Sequence, residues 1–171
     1  MEIEAKIALT DDQARALRER LGAPKSVHQQ RDVYMQTAGL PVALRVREED
    51  NQAWVTLKSG FGQVSGIRVR EELEPSIRHE EVSMWLAIFE KLGMPSGMEV
   101  RKHRETYPYD GVIVVIDEVE GLGTFAEVEA LADDAEAAVV KLEATIAELG
   151  MAELPRLTDS YRKLLAKRHG Q

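Results

Sequence analysis

The chain opens on strict alternation: Glu2, Glu4 and Lys6 fall between Ile3, Ala5 and Ile7. This is the period-two pattern of a strand with one wet face, predicted over Met1 to Ala8. The period changes at Thr10. Gln13 stands three residues on, as in a capping box, Asp11 and Asp12 fill the first turn, Leu17 and Leu21 recur at helical spacing, and Gly22 and Pro24 end the helix. Period two then returns and persists over Val27 to Gln36, Val42 to Glu48, Ala53 to Ser59 and Ser65 to Glu74. Turn residues separate these runs: Gly39 with Pro41, Asp50 with Asn51, and Gly60 with Gly62. Such near-hairpin spacing predicts an antiparallel meander. A second helix, His79 to Leu92, places Val82, Trp85, Leu86 and Phe89 on one stripe and stops at Gly93. Three further strands are predicted over Met98 to Tyr107, Val112 to Asp117 and Thr124 to Ala130. A long helix over Ala132 to Leu149 ends at Gly150, and a last one, Asp159 to Lys167, is expected to be capped by Thr158.

No linker-like stretch, low-complexity segment or fixed-period repeat interrupts this order, so one α+β domain over residues 1–171 is the economical expectation. Eight mainly antiparallel strands pose an edge problem. Closure into a barrel removes the exposed edges, with the helices covering the outside.

Composition narrows the partners. The 171 residues carry 22 Lys and Arg against 30 Asp and Glu, a net charge of −8, so broad gripping of nucleic acid or of an anionic membrane is not expected. With two Trp, four Tyr and three Phe, an aromatic platform for single strands is equally unexpected. An anionic ligand must therefore meet a local basic site. Cysteine is absent, which excludes disulfides, thiolate metal sites and cysteine nucleophiles and leaves the redox compartment open. No apolar run approaches the roughly 20 residues of a membrane-spanning helix. The N-terminus lacks the basic and apolar regions of a secretory signal, so the cytoplasm is the expected location.

The wet strand faces carry the chemistry. Glu2, Glu4 and Lys6 share one; Arg45 and Arg47 alternate with Leu44 and Val46; Thr56 and Lys58 alternate with Val55 and Leu57. Arg68, Arg70 and Glu72 lie opposite Ile67 and Val69. Lys102 and Arg104 form a same-face pair, although Arg101 and His103 on the other face leave the phase ambiguous, and the last strands supply Asp117, Glu127 and Glu129. Charged residues are ordinary on the solvated face of an antiparallel sheet. The sign pattern argues for more, because an acidic protein here spends up to eight Lys and Arg on alternate strand positions. On an open sheet, like charges directly opposite one another destabilise. Inside a barrel, a bound polyanion would satisfy them, and without it Arg45 and Arg47 are expected to repel one another, so that Arg47→Met leaves the empty protein equally or more stable. The neighbouring carboxylates could hold a hard divalent metal. The histidines His28, His79, His103 and His169 show no metal-binding spacing, and Gly60, Gly62 and Gly66 form no phosphate-loop fingerprint; they read as turn residues.

An ordered set of motifs resembles the CYTH superfamily, the triphosphate tunnel metalloenzymes. Glu2-Ile3-Glu4-Ala5-Lys6 is similar to its ExExK signature, followed in order by Arg31 to Tyr34, Leu44 to Arg47, Thr56 to Lys58, Arg70 to Glu72, Lys102 to Arg104, Asp117 to Glu129, and Ser160 to Leu165. The glycine-rich Asp117 to Glu129 segment and the SYRxLL tail most resemble the class IV adenylyl cyclase branch. The resemblance implies an eight-stranded tunnel that binds a nucleoside or inorganic triphosphate, with Mg2+ or Mn2+ held by Glu2, Glu4, Glu127 and Glu129, and with Asp117 as a less certain fifth ligand. It implies phosphate contacts from Lys6, Arg45, Arg47, Lys58, Arg70, Lys102 and Arg104, with Arg68 added by parity, and catalytic roles for Glu4, Lys6 and Glu127. Ser160, Tyr161 and Arg162 either cap and dock the last helix or help to close the tunnel. Asp32 and Tyr34 are candidate base or positioning groups, although a strand tyrosine is more often packing. The implied reaction converts ATP to cyclic AMP and pyrophosphate. The alternatives are hydrolysis of tripolyphosphate or an organic triphosphate such as thiamine triphosphate, and non-catalytic binding of a nucleotide or polyphosphate, against which the four glutamates argue. A homodimer is left open.

Overall fold

A computed structural model describes residues 1–64 and 66–170. The strands are β1 (Glu2–Leu9), β2 (Ser26–Met35), β3 (Ala43–Glu49), β4 (Gln52–Val64), β5 (Ile67–Leu73), β6 (Ser76–Arg78), β7 (Ser96–Tyr109), β8 (Val112–Val119) and β9 (Gly123–Leu131). The helices are α1 (Asp11–Leu21), α2 (Val82–Lys91), α3 (Ala135–Glu148) and α4 (Tyr161–Arg168). The ladder runs β3-β2-β7-β8-β9-β1-β5-β4, and pairing of β3 with β4 closes it into an eight-stranded antiparallel barrel. The three-residue β6, which the sequence pattern did not announce, is a short addition to β4. Ser65, where the pattern opened the fifth strand, lies outside the described residues.

Local sequence explains the element ends. Thr10 caps α1 reciprocally: its hydroxyl accepts from the Gln13 N–H at 3.3 Å, and the Gln13 side chain accepts from the Thr10 N–H at 2.8 Å. Asp110 and Gly111, both at positive φ, make the tight turn between β7 and β8. Three expectations are corrected. Gly60 and Gly62 are not turn residues but lie inside a longer β4, where the pairing with β5 shifts between Ser59 and Gly62; glycine absorbs the bulge. Asp134 rather than residue 132 opens α3, its carboxylate accepting from the Ala137 N–H at 3.1 Å. Ser160, not Thr158, caps α4, because the strap before that helix stays extended against β1: Arg156 bridges Ile7, and the Leu157 N–H donates to the Lys6 carbonyl at 2.8 Å.

The alternation divides the strands into an outer apolar skin and an inner polar lining. Outside, Ile3, Ile7, Val114, Ile116 and Val128 pack under Leu17 of α1 and Leu142 and Ile146 of α3. On the opposite wall, Val82 and Phe89 of α2 cover Leu44, Val46 and Ala53. The third cluster is internal: Tyr34, Val100, Val119 and Phe125 form an apolar floor at one end of the barrel, against which α4 lays Tyr161 and Leu165. No helix among the described residues is long and apolar enough to cross a membrane.

Leu142 is fully buried in the outer skin. Truncating it to Ala leaves a cavity between α3 and the barrel, and a loss of about 2–5 kcal/mol in denaturant unfolding is expected.

Candidate active site

The inner faces of all eight barrel strands converge on a cavity of about 670 Å3. Its lining includes Glu2, Glu4 and Lys6 from β1, Arg45 and Arg47 from β3, Lys58 from β4, Arg68 and Arg70 from β5, Lys102 and Arg104 from β7, and Glu127 and Glu129 from β9. The ambiguous phase of β7 is thereby resolved: Lys102 is buried inside, while Arg101 is exposed and His103 lies outside with Gln29. Asp117 of β8 is fully buried, bonded to the lining side chains of Lys102 and Arg104.

The lumen is not simply electropositive. Asp32 holds Arg47 through two bonds of 2.7 and 2.8 Å and Arg45 at 3.2 Å, and Glu74 reaches Arg45 at 3.4 Å and the Thr56 hydroxyl at 2.6 Å. Glu2 accepts from Lys58 at 2.6 Å and from Arg70 at 3.0 Å, while Glu72 lies 3.1 Å from Lys58. Glu4 pairs with Arg68, with Arg70 at 2.6 Å and with Lys6 at 3.2 Å. Lys6 also pairs with Glu127, which accepts from Arg104 at 2.5 Å. Asp117 accepts from Arg104, from Lys102 at 3.0 Å and from the Tyr161 hydroxyl at 3.0 Å. With Glu129, eight carboxylates thus interleave eight cationic side chains.

This overturns the expectation that Arg45 and Arg47 repel one another in the empty barrel. The barrel supplies their counter-ion itself, and Arg47→Met would leave Asp32 with Arg45 alone. Ser160, Tyr161 and Arg162, named as a segment that either docks the last helix or helps to close the tunnel, all line the cavity, and Ser160 also caps α4. Glu74 was missed as a lining group, and Glu72 appeared only as a face partner of Arg70. Glu74 continues the parity of Arg70 and Glu72 beyond the end of β5, a signal the pattern did carry. Tyr34 both joins the apolar floor and lines the cavity, so it meets the packing and the positioning readings alike, and Asp32 acts on the arginines.

Each network marks its protons. Burial raises Asp32, but the Arg45 and Arg47 guanidiniums outweigh it and hold the carboxyl well below its ordinary 3.8. Burial likewise opposes ionisation of Glu2, yet Lys58 and Arg70 keep it at about 2. Burial, with Arg104 alongside and only partly offset by Asp117, pushes Lys102 down to about 8. Glu129 moves the other way, to about 7: burial raises it, Arg104 opposes, and Glu127, Glu4 and Glu2 add to the rise.

Of these eight carboxylates Glu129 is also the one that makes no ion pair among the described residues, and it stands directly opposite Glu4 across the β1–β9 ladder. Two carboxylates face to face destabilise one another unless a cation intervenes. The donors are all carboxylate oxygens, the chemistry that suits a hard divalent ion. Among the described residues no three carboxylates converge on one point, because Lys6, Arg68, Arg70 and Arg104 lie between them. The set therefore fits a divalent metal by donor type and by the position of Glu129, which has no ion pair of its own, opposite Glu4, with the basic side chains on Glu4 and Glu127 as the groups that would have to give way.

A closed barrel lined in this way is what the motif order implied, and the chain belongs to the CYTH domain family, which it matches over residues 1–161. Among solved structures, a conserved hypothetical protein from Pyrococcus furiosus is similar at 25% identity with a TM-score of 0.84, over 96% of this chain and 99% of that one. A Hippeastrum protein, described as a candidate adenylyl cyclase with a dominant triphosphatase activity, is 23% identical with a TM-score of 0.75, over 100% and 97% of the two chains. A candidate adenylate cyclase from Vibrio parahaemolyticus is 18% identical with a TM-score of 0.73, over 96% and 97%. No curated protein matches by sequence.

Because Asp32 is the shared counter-ion of two buried arginines, Asp32→Asn is expected to cost about 3–5 kcal/mol of stability near neutral pH. The depressed carboxyl contributes stability above its ordinary value of 3.8 and loses it as the pH falls below that value. Denaturant unfolding of both proteins at pH 7 and pH 3 should therefore show a large difference that narrows in acid.

Proposed function

We propose that the lumen is the active site of a divalent-metal-dependent enzyme that binds ATP through its triphosphate and converts it to cyclic AMP and pyrophosphate. The observation that carries this reading is the cavity: eight Lys and Arg side chains point into a volume of about 670 Å3. That volume lies within the roughly 300–1,000 Å3 of pockets that enclose whole small-molecule ligands. A triphosphate alone would leave much of it empty, and the lining includes apolar side chains at Leu40, Val42 and Ile113 against which a nucleoside can rest.

In this reading Arg45, Arg47, Lys58, Arg68, Arg70, Lys102, Arg104 and Lys6 bind and orient the phosphates. Glu2, Glu4, Glu127 and Glu129 hold Mg2+ or Mn2+. Asp117 is the less certain further ligand of that ion, and it aligns Lys102 and Arg104. A divalent ion bound there neutralises phosphate charge and polarises the phosphoryl oxygens. The guanidinium and ammonium groups offset the charge that develops at the phosphorus under attack. The ribose 3′-hydroxyl attacks the α-phosphorus, its proton leaves to a carboxylate of the Glu4, Glu127 and Glu129 group, and pyrophosphate departs. The apolar floor of Val119 and Phe125 keeps water from the buried end of the phosphate chain.

A second reading, hydrolysis of tripolyphosphate or an organic triphosphate, is favoured by the charge lattice itself, which addresses phosphates and needs no nucleoside. The Hippeastrum relative, which couples a cyclase description to a dominant triphosphatase activity, points the same way. Incubation with ATP or tripolyphosphate and Mg2+ or Mn2+, with products resolved chromatographically, separates the two. Cyclic AMP without orthophosphate supports the cyclase, orthophosphate the hydrolase, and neither product contradicts both. Glu4→Gln is expected to lower turnover at least 100-fold while far-ultraviolet circular dichroism stays unchanged; retained activity would remove Glu4 from the metal set.

A further inference from the structure

Tyr161 is the first residue of α4, yet its ring lies inside the barrel, 5% exposed. The Lys6 ammonium sits 3.7 Å from the ring centroid and that of Lys102 5.2 Å from it. The hydroxyl donates to Asp117 at 3.0 Å, and Phe125 meets the ring edge-on at 5.1 Å. The helix is fixed from both sides. Before it, the Leu157 N–H donates to the Lys6 carbonyl; at its last residue, the Arg168 guanidinium donates to the Gly121 carbonyl at 2.5 Å. The C-terminal segment therefore grips Lys6 by its backbone and by its side chain.

We propose that Tyr161 is a positioning residue for the reaction in the tunnel: its ring face aims the Lys6 ammonium into the lumen, and α4 is the element that carries it. The proposal rests on the triphosphate reading above. Lysine is a point charge on a flexible four-carbon stem, so a bound phosphate meets it only where its partners hold it. In the empty site those partners are Glu4 and Glu127, both of which a phosphate would have to displace. An aromatic face differs in kind. It attracts the ammonium through its quadrupole without neutralising it, so Lys6 can exchange a carboxylate for a phosphate oxygen while remaining on the ring. Phe125 keeps the ring from turning, and the hydroxyl bond ties the same ring to the carboxylate that aligns Lys102 and Arg104. A tyrosine that only filled the end of the barrel would affect stability and leave turnover by the folded fraction intact.

The test is a double-mutant cycle in the full chain with Mn2+, using Tyr161→Met, which keeps the volume, and Tyr161→Phe, which keeps the ring, with Tyr161→Met made also on a Lys6→Met background. Turnover of ATP and tripolyphosphate and affinity for tripolyphosphate are both measured. The expected result is a fall in kcat of at least fivefold for Tyr161→Met with KM within threefold, recovery of at least a third of kcat in Tyr161→Phe, and loss of the Met effect once Lys6 is gone. A smaller fall, equal loss in the Phe and Met variants, or the same loss on both backgrounds overturns the proposal. Should the wild type turn over no triphosphate, the functional reading fails, and the cycle in tripolyphosphate affinity decides Tyr161 alone: coupling of fivefold or more supports it and additivity overturns it. Proton NMR of the wild type needs no variant. The Lys6 ε-protons should be shifted upfield by the ring, and their absence from that region overturns the proposal even if every variant unfolds.

Discussion

Charge balance inside the barrel is the constraint on which the rest depends. An ion taken out of water costs several kcal/mol unless a partner replaces its hydration, and this barrel buries a whole lattice of them. Arg45, Arg47, Arg68, Arg70, Lys6 and Lys102 are each less than a tenth exposed, and each has a carboxylate within reach. The carboxylates come from every side of the lumen: Asp32 from β2, Glu2 and Glu4 from β1, Asp117 from β8, Glu127 from β9. Closure is what makes this arrangement available, since only a sheet closed on itself brings β1 and β3 to face a common interior. The apolar outer faces and the helices over them exist, in energetic terms, to hold that interior together.

The same balance shapes what the site can bind. A triphosphate brings several negative charges into a lumen whose cations are already matched. Either carboxylates must be displaced or further cations must enter with the ligand. Glu129, unpaired and opposite Glu4, marks where the balance is least satisfied. In the proposed reading metal and triphosphate would be complementary occupants, each supplying the counter-charge for the side chains that the other displaces. A site of this kind favours a ligand that is anionic along its length and discriminates little at its organic end, so the charge lattice by itself does not separate the two reactions proposed above.

Much of this was legible in the sequence. Period-two alternation located all eight barrel strands, because each has one face against a dry skin and one against a polar interior. It also assigned Glu2, Glu4 and Lys6 to one face and Arg45 and Arg47 to another. What it could not supply was which charge meets which. Asp32 lies 13 residues from Arg45 and Glu127 lies 121 from Lys6, and those pairings are set by the closure of the barrel rather than by local pattern. The repulsion expected between Arg45 and Arg47 failed for that reason. Gly60 and Gly62 misled because glycine serves a bulge as readily as a turn. Thr158 and Ser160 are both sound caps by composition, and only the docking of the strap on β1 decided between them.

The most direct test of the charge-balance account is calorimetric titration of the protein with tripolyphosphate in the absence and presence of Mn2+, with free-ligand complexation subtracted, beside the reciprocal titration with Mn2+. The account predicts strong positive coupling, with each ligand raising affinity for the other by the same factor, at least tenfold. Tight tripolyphosphate binding that is indifferent to the metal would contradict it.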